Sequence, residues 1–244
     1  MLNELQWHRY ADSSMACERM RAMILAAGRG QRMRELTAAT PKPLLELNGE
    51  SLIARQLRRL AAAGVADAVI NLSYRGEQIR AAVGNGADFG LDVAYSQEPE
   101  EPLETAGGIV AALPLLGTAP FLLVNADVVS DFDLTQLALG KAKGVLVLVP
   151  NPPHHPAGDY GLATDARLTA QAPRYTYSGI SLLSPALFAG LEPGRRPLSE
   201  VFAAAIAAGE LAGVLHRGLW FDVGTADRLA AAAAALAARD GLAD

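Results

Sequence analysis

The 244-residue chain carries 21 Lys and Arg against 26 Asp and Glu, is 51% hydrophobic and holds one cysteine, Cys17. A mildly acidic balance with no basic stripe argues against a nucleic-acid or membrane surface, so any phosphate must be met by a local group of residues. One cysteine excludes a disulfide framework and a zinc site built from several thiolates, which fits a reducing cytoplasm. No apolar run reaches the roughly 18 residues that a membrane span needs.

Residues 1–19 scatter Trp7, His8, Arg9, Asp12 and Glu18 without period and hold no secretory apolar core. They are read as a poorly ordered extension, from an upstream start codon or a cloning remnant, ahead of one domain over residues 20–244. From Ala22 onward, short apolar runs alternate with helical patterns, which predicts an α/β fold: a Rossmann-like, mixed, mainly parallel central sheet flanked by helices. Ala22–Ala26 is a predicted strand. Ser51 then caps a helix that presents Leu52, Ile53, Gln56, Leu57 and Leu60 on one face and stops at Gly64. A strand is predicted at Ala68–Asn71, a short helix at Gln78–Val83, a strand at Asp92–Ser96, a helix at Gly107–Ala112 and a fully buried strand at Phe121–Asn125. Beyond the apolar run Leu134–Leu139, the segments Val145–Val149, Tyr160–Thr164 and Thr176–Leu183 lie between Pro- and Gly-rich loops, a pattern suited to mixed or antiparallel additions. Leu198–Ala208 reads as a helix, Val214–His216 as a strand, and the alanine-rich Thr225–Ala238 as a terminal helix. No repeat of roughly 20–50 residues is present.

The first strand runs into Leu25-Ala26-Ala27-Gly28-Arg29-Gly30-Gln31-Arg32-Met33, a turn whose glycines let backbone N–H groups approach an anion while its arginines supply charge. It lacks the Gly-Lys-Ser/Thr ending of a Walker A loop and the third glycine of a dinucleotide fingerprint. In Thr40-Pro41-Lys42-Pro43-Leu44, prolines restrict the backbone on both sides of Lys42, which suits a positioned phosphate ligand and equally a rigid turn with a solvated lysine. Asn125-Ala126-Asp127 follows the buried strand directly and so sits at the carboxyl end of the sheet, where open α/β folds place ligands. Magnesium takes hard oxygen ligands, often one or two carboxylates plus substrate phosphates, so a second carboxylate should converge on Asp127. A turn cap is the other reading of Asp127; Asp131 and Asp133 read as loop and capping residues.

The glycine-rich loop, Arg32 and the Pro-Lys-Pro element resemble the signature of the sugar-1-phosphate nucleotidyltransferase family, and most of all its N-acetylmuramate α-1-phosphate uridylyltransferases, over residues 20–240. The resemblance implies a glycosyltransferase-A-like fold and Mg²⁺-dependent transfer of a nucleoside monophosphate from an NTP, UTP before others, to a sugar-1-phosphate with release of pyrophosphate. It implies a cytoplasmic monomer or small homo-oligomer working in peptidoglycan recycling. It also implies roles residue by residue. Leu25, Ala26, Ala27, Gly28, Arg29 and Gly30 wrap the nucleotide, with Asn125 beside them. Arg32 and Lys42 neutralise phosphate charge and, with Asp127, carry catalysis. Asp127 and Asp222, the latter in Trp220-Phe221-Asp222-Val223-Gly224-Thr225, hold the metal, although Asp222 also suits the N-terminus of the last helix. Glu98 and Gly107, in an acidic loop opening a glycine-rich helix, meet the base, and Asp159, Ser178 and Gly179 meet the sugar phosphate.

A Glu-Lys-Pro element that many members carry before Tyr-Ser-Gly is missing, the interval here running from Asp165 to Arg174. Arg174 suits a lactyl carboxylate or an ordinary surface, and His154 and His155 read as surface residues. Mannose-1-phosphate guanylyltransferase and glucose-1-phosphate nucleotidyltransferase are the alternatives within the same chemistry, because Glu104-Thr105-Ala106-Gly107-Gly108 suits those branches too. A non-catalytic nucleotide-sugar sensor is the alternative outside it, against which intact Arg32, Lys42, Asp127 and Asp222 argue.

Overall fold

The run Arg21–Leu25, apolar through its centre, forms β1, and the fold is assembled outward from it. The computed structural model describes residues 20–99, 101 and 103–240, so the expected N-terminal extension lies outside the described residues. Asn48 and Gly49, both at positive φ, turn the short hairpin of β2 (Glu46–Leu47) and β3 (Glu50–Ser51), a task for which Asn-Gly is well suited. Ser51 then caps α1 (Leu52–Ala62), its hydroxyl accepting from the Ala54 N–H as expected, and Gly64 at φ +84° closes the helix.

Next come β4 (Asp67–Leu72), α2 (Gly76–Val83), β5 (Asp92–Gln97), α3 (Glu104–Leu116) and β6 (Phe121–Asn125). The α3 helix starts three residues earlier than predicted and runs through Pro114, which sits in its last turn. After β7 (Val128–Ser130), the Leu134–Leu139 run forms only a short 3-10 turn capped by Asp133. The chain continues with β8 (Gly144–Val149), β9 (Tyr160–Leu162), β10 (Leu168–Thr169), β11 (Arg174–Leu183), α4 (Leu198–Ala207), β12 (Leu211–Leu215), β13 (Trp220–Asp222) and α5 (Ala226–Asp240). β12 begins earlier than expected because it pairs in parallel along β8, Leu211 opposite Gly144.

β5, β4, β1 and β6 lie side by side and parallel. β11 then runs antiparallel to β6, β8 and β9, so the sheet is mixed, as expected, with β5, β4, β1 and β6 parallel in the first half of the chain and antiparallel additions, beside the parallel β8–β12 pair, in the second. Strand alternation explains the two cores. Ala22 and Ile24, Ala68 and Ile70, and Leu122 and Val124 face α1 through Ile53, Leu57 and Leu60. Met23, Val69, Phe121 and Leu123 face the other way, onto Ile109 and Ala112 of α3 and Phe202 of α4. Each such large side chain removed from water contributes about 1.5–3 kcal/mol.

A third, smaller core fixes the site. Met33, Leu45, Leu47 and Leu52 pack with Val129 of β7, Val223 and Ala232 of α5. This cluster clamps the β13–α5 corner onto the end of β6, and β13 pairs antiparallel with β7 so that Asp222 lies opposite Val128, the neighbour of Asp127. The two aspartates are thereby brought together from opposite halves of the chain.

Candidate active site

The carboxyl ends of β1, β4 and β6 open into a cleft of about 570 Å³, bounded by Leu25 to Gly30, Arg32, Lys42, Pro43, Asn71, Glu98, Glu104, Thr105, Asn125 to Asp127, and Gly224. Its floor is backbone. Gly28 faces open space, while Gly30 at φ +62° turns tightly against Thr37 and Lys42, where a side chain would crowd both. Thr37 donates to the Gly30 carbonyl at 3.0 Å, and the loop's first residue is pinned by Asn71, whose Oδ1 accepts from the Ala26 N–H at 2.7 Å. The loop N–H groups beyond Ala26 are held in one shape beside the cationic Arg29 and Arg32, an arrangement suited to an extended polyphosphate.

Pro41 and Pro43 are buried and flank a single 3-10 turn over Lys42–Leu44, which aims the Lys42 ammonium at the Asp127 carboxylate in an ion pair. Asp127 in turn accepts the Val223 N–H on its backbone carbonyl at 2.8 Å. Asp222 is gripped by Arg228 of α5, whose Nη1 lies 2.6 and 2.5 Å from the two carboxylate oxygens. His154 Nε2 stands 3.1 Å from the same carboxylate and 2.8 Å from Arg228 Nη1. The capping role at this helix belongs to Thr225, whose hydroxyl accepts from the Arg228 N–H, so Asp222 is free of it. Gly224 has room for no side chain, because Arg228 covers it and Arg32 Nη2 would lie 3.3 Å from a Cβ there.

At the far end of the cleft Glu98 is buried and accepts from Asn71 Nδ2 at 2.7 Å. Burial pushes its carboxyl above the ordinary value, the bonds from Asn71 and the Leu103 backbone pulling part of the way back. Gly108 lets α3 lie directly on this carboxylate. Gly107, by contrast, turns its Cα toward the Gly194 carbonyl and donates its N–H to Arg196 O at 3.2 Å, so it helps seat the helix and is not part of the cleft wall. Glu104 and Thr105 line the cleft in its place. Glu104 adopts φ +56°, an uncommon conformation for a non-glycine residue, and pairs with Arg195.

None of the three residues expected on the sugar side, Asp159, Ser178 and Gly179, lines this cleft. Between Tyr177 and Ser181, β11 bulges: three residues of β8, Leu146 to Leu148, span the interval that five residues of β11 cover. Gly179, at φ +79°, turns at this bulge against the Asn125 side chain, and the Ser178 carbonyl accepts from Trp220 Nε1 at 2.9 Å. Asp159 is spent locally, one oxygen accepting the Tyr177 N–H at 2.7 Å and the other 3.0 Å from His155. Arg174 donates to the Ala170 carbonyl and braces its own hairpin. The histidine pair is partly exposed, as expected, yet each ring engages one of the candidate aspartates, a link between residues 68 and 4 positions apart in sequence.

Among the described residues no cluster of three or more His, Cys, Asp or Glu is assembled for a metal ion. The donor set that does exist, the Asp127 and Asp222 carboxylates beside an anion-binding loop, fits a hard cation that completes its shell with substrate phosphate oxygens. Arg228, His154, Glu104 and Thr105 are the site residues that sequence reading missed. The Arg228 position, three residues past a capping threonine on a helix entering the site, was the one readable clue.

Comparison with known proteins agrees with this geometry. A family profile described as nucleotidyl transferase matches residues 21–239. The chain is 46% identical over 220 residues to the N-acetylmuramate alpha-1-phosphate uridylyltransferase of Neisseria meningitidis serogroup B, an alignment covering 86% of this chain and 95% of that protein. It is 33% identical to a mannose-1-phosphate guanyltransferase of Schizosaccharomyces pombe, covering 84% of this chain and 61% of that longer protein. The crystal structure of HddC from Yersinia pseudotuberculosis complexed with GMP-PN superimposes with a TM-score of 0.74 at 19% identity, over 89% of this chain and 99% of that one, which establishes the shared fold. With a matching profile over nearly its whole described length, this chain belongs to the nucleotidyl transferase family.

Proposed function

We propose that the protein transfers UMP from UTP to N-acetylmuramate α-1-phosphate, releasing pyrophosphate, in the cytoplasm. The observation that carries the reading is the Lys42–Asp127 pair in a cleft whose backbone loop is built for phosphates, with Asp222 on the strand paired beside Asp127. The 46% identity to the N-acetylmuramate alpha-1-phosphate uridylyltransferase of Neisseria meningitidis supports this choice of substrates.

In this reading the base lies toward Glu98, Asn71, Glu104 and Thr105, and the triphosphate runs along residues 26–30 toward Arg32. A sugar-phosphate oxygen attacks the α-phosphorus in line with the departing pyrophosphate. The attacking phosphate is already ionised at neutral pH, so no general base is needed; positioning two anions and offsetting their repulsion is the main task. Lys42, fixed by its two prolines, and Arg32 supply that positive charge. Mg²⁺ held by Asp127 and Asp222 would add Lewis-acid polarisation of the reacting phosphate oxygens. The Ser178–Gly179 bulge, pressed on Asn125, forms the acceptor-side wall. The protein works as a monomer or small homo-oligomer.

The test is pyrophosphate release in Mg²⁺ across UTP, GTP, dTTP and CTP against N-acetylmuramate-, N-acetylglucosamine-, glucose- and mannose-1-phosphate. The expected result is one dominant pair, UTP with N-acetylmuramate-1-phosphate. Dominance of GTP with mannose-1-phosphate keeps the chemistry and overturns the substrates, and silence with intact nucleotide binding supports a sensor.

A further inference from the structure

We infer that Arg228 is an internal counter-ion for Asp222 that must give up the carboxylate before a divalent cation can take it, so that Arg228 sets the protein's affinity for the metal. This rests on the reading of Asp222 as a metal ligand. The observation behind it is that one guanidinium nitrogen lies 2.6 and 2.5 Å from the two Asp222 oxygens, so Arg228 occupies the position between them that a cation bound to both oxygens would take. Arg228 is well anchored for the purpose. It sits in the first turn of α5, its N–H bonded to Thr225, and its side chain is mostly covered. The same nitrogen is 2.8 Å from His154 Nε2, which gives the guanidinium a second partner when it leaves the carboxylate.

A divalent cation that binds Asp222 through the positions Arg228 now fills must displace the guanidinium, and a cation and a guanidinium at that distance repel each other. Metal binding is therefore an exchange, and its free energy is reduced by that of the pair it breaks. The pair is partly exposed, Asp222 retaining 26% of its side-chain surface, so the effect is that of a screened ion pair and not of a deeply buried one.

The experiment is a Mn²⁺ titration of the nucleotide-free chain, following the free-ion electron paramagnetic resonance signal, for wild type, Arg228→Gln, Asp222→Asn and the double variant. Exchange predicts that Arg228→Gln tightens Mn²⁺ binding by about 1.5-fold to fivefold, the range a partly exposed ion pair spans. It predicts that Asp222→Asn weakens binding and that the double variant matches Asp222→Asn alone. Arg228→Lys, which keeps the charge and the helix but loses the planar fork, falls between wild type and Gln and serves if the Gln variant is poorly folded. Unchanged or weaker binding in Arg228→Gln, with Asp222→Asn still weakened, overturns the exchange while leaving Asp222 a ligand. Equal affinity of wild type and Asp222→Asn removes Asp222 from the ligand set, and both the exchange and the metal reading of the site fail with it.

Discussion

Asp127, in the turn just before β7, and Asp222, at the end of the paired β13, are equally exposed and each is ion-paired with a basic side chain, but those partners are held by different means. Lys42 comes from a turn 85 residues away and is aimed by two buried prolines, so its position is set by backbone that cannot relax. Arg228 lies six residues past its aspartate in the first turn of α5, its N–H bonded to Thr225, and its guanidinium has His154 as a second partner within reach. A backbone-fixed cation suits a charge that must stay in place throughout a reaction, whereas a side chain with a second partner in reach suits one that moves aside. Under the proposed function, that difference separates a lysine acting on phosphate from an arginine controlling access to the metal.

Substituting the aspartates tests the comparison with the largest expected effect. Asp127→Asn and Asp222→Asn should each lower kcat by about a hundredfold or more, the scale seen when an electrostatic ligand of a transition state is removed. Thermal unfolding followed by circular dichroism should show both variants folded; near-native turnover in either removes that residue from the mechanism. Lys42→Met comes next, with an expected loss of about tenfold to a hundredfold in kcat/KM that Lys42→Arg restores only in part, since a wider fork does not fit between two prolines. If Lys42→Met keeps wild-type kcat/KM, the proline clamp serves the fold alone.

The acceptor wall gives a smaller, structural effect. Gly179 sits at φ +79°, and a Cβ there would meet the Asn125 side chain at 2.6 Å, so Gly179→Ala combines backbone strain with a steric push. It should destabilise by about 1–3 kcal/mol in urea unfolding and raise KM for the sugar phosphate more than for the nucleotide. An equal change in both KM values would place the bulge on the nucleotide side instead.

What could be read from sequence, and what could not, follows contact range. The strand cores, the Ser51 and Thr225 caps and the phosphate loop are local patterns, and each was legible because a few neighbouring residues dictate it. The Pro-Lys-Pro turn announced a constrained lysine, but its partner Asp127 needed the fold. The limits of β9 and β12 depended on pairing with β10, β11 and β8, which apolar runs alone do not encode. The resemblance put Gly107 at the base; in the structure the nearest approach to its Cα side is the chain itself, at the Gly194 carbonyl. Asp159 carried the same ambiguity, and its carboxylate is taken up by the Tyr177 N–H and His155. A glycine or an acid in a loop marks a close contact, and sequence does not say with what.

Glu98 provides the mildest test, and it contrasts a buried acid that lacks a cation with the two paired aspartates. Burial raises its pKa above the ordinary 4.5, so the folded protein holds this proton more tightly than the unfolded chain. The sign follows from linkage: the stability tied to the protonated form is fully present below the ordinary value and is lost as pH rises through the raised one. Glu98→Gln keeps an oxygen for Asn71 without acquiring charge, so its stability should not carry that slope. Urea unfolding across pH 4 to 8 should therefore show the Gln variant gaining on wild type as pH rises, with the gap closing in acid. A gap that widens in acid would mean that the Asn71 bond outweighs burial and that Glu98 is held as an anion, ready to accept an N–H from a base in the cleft.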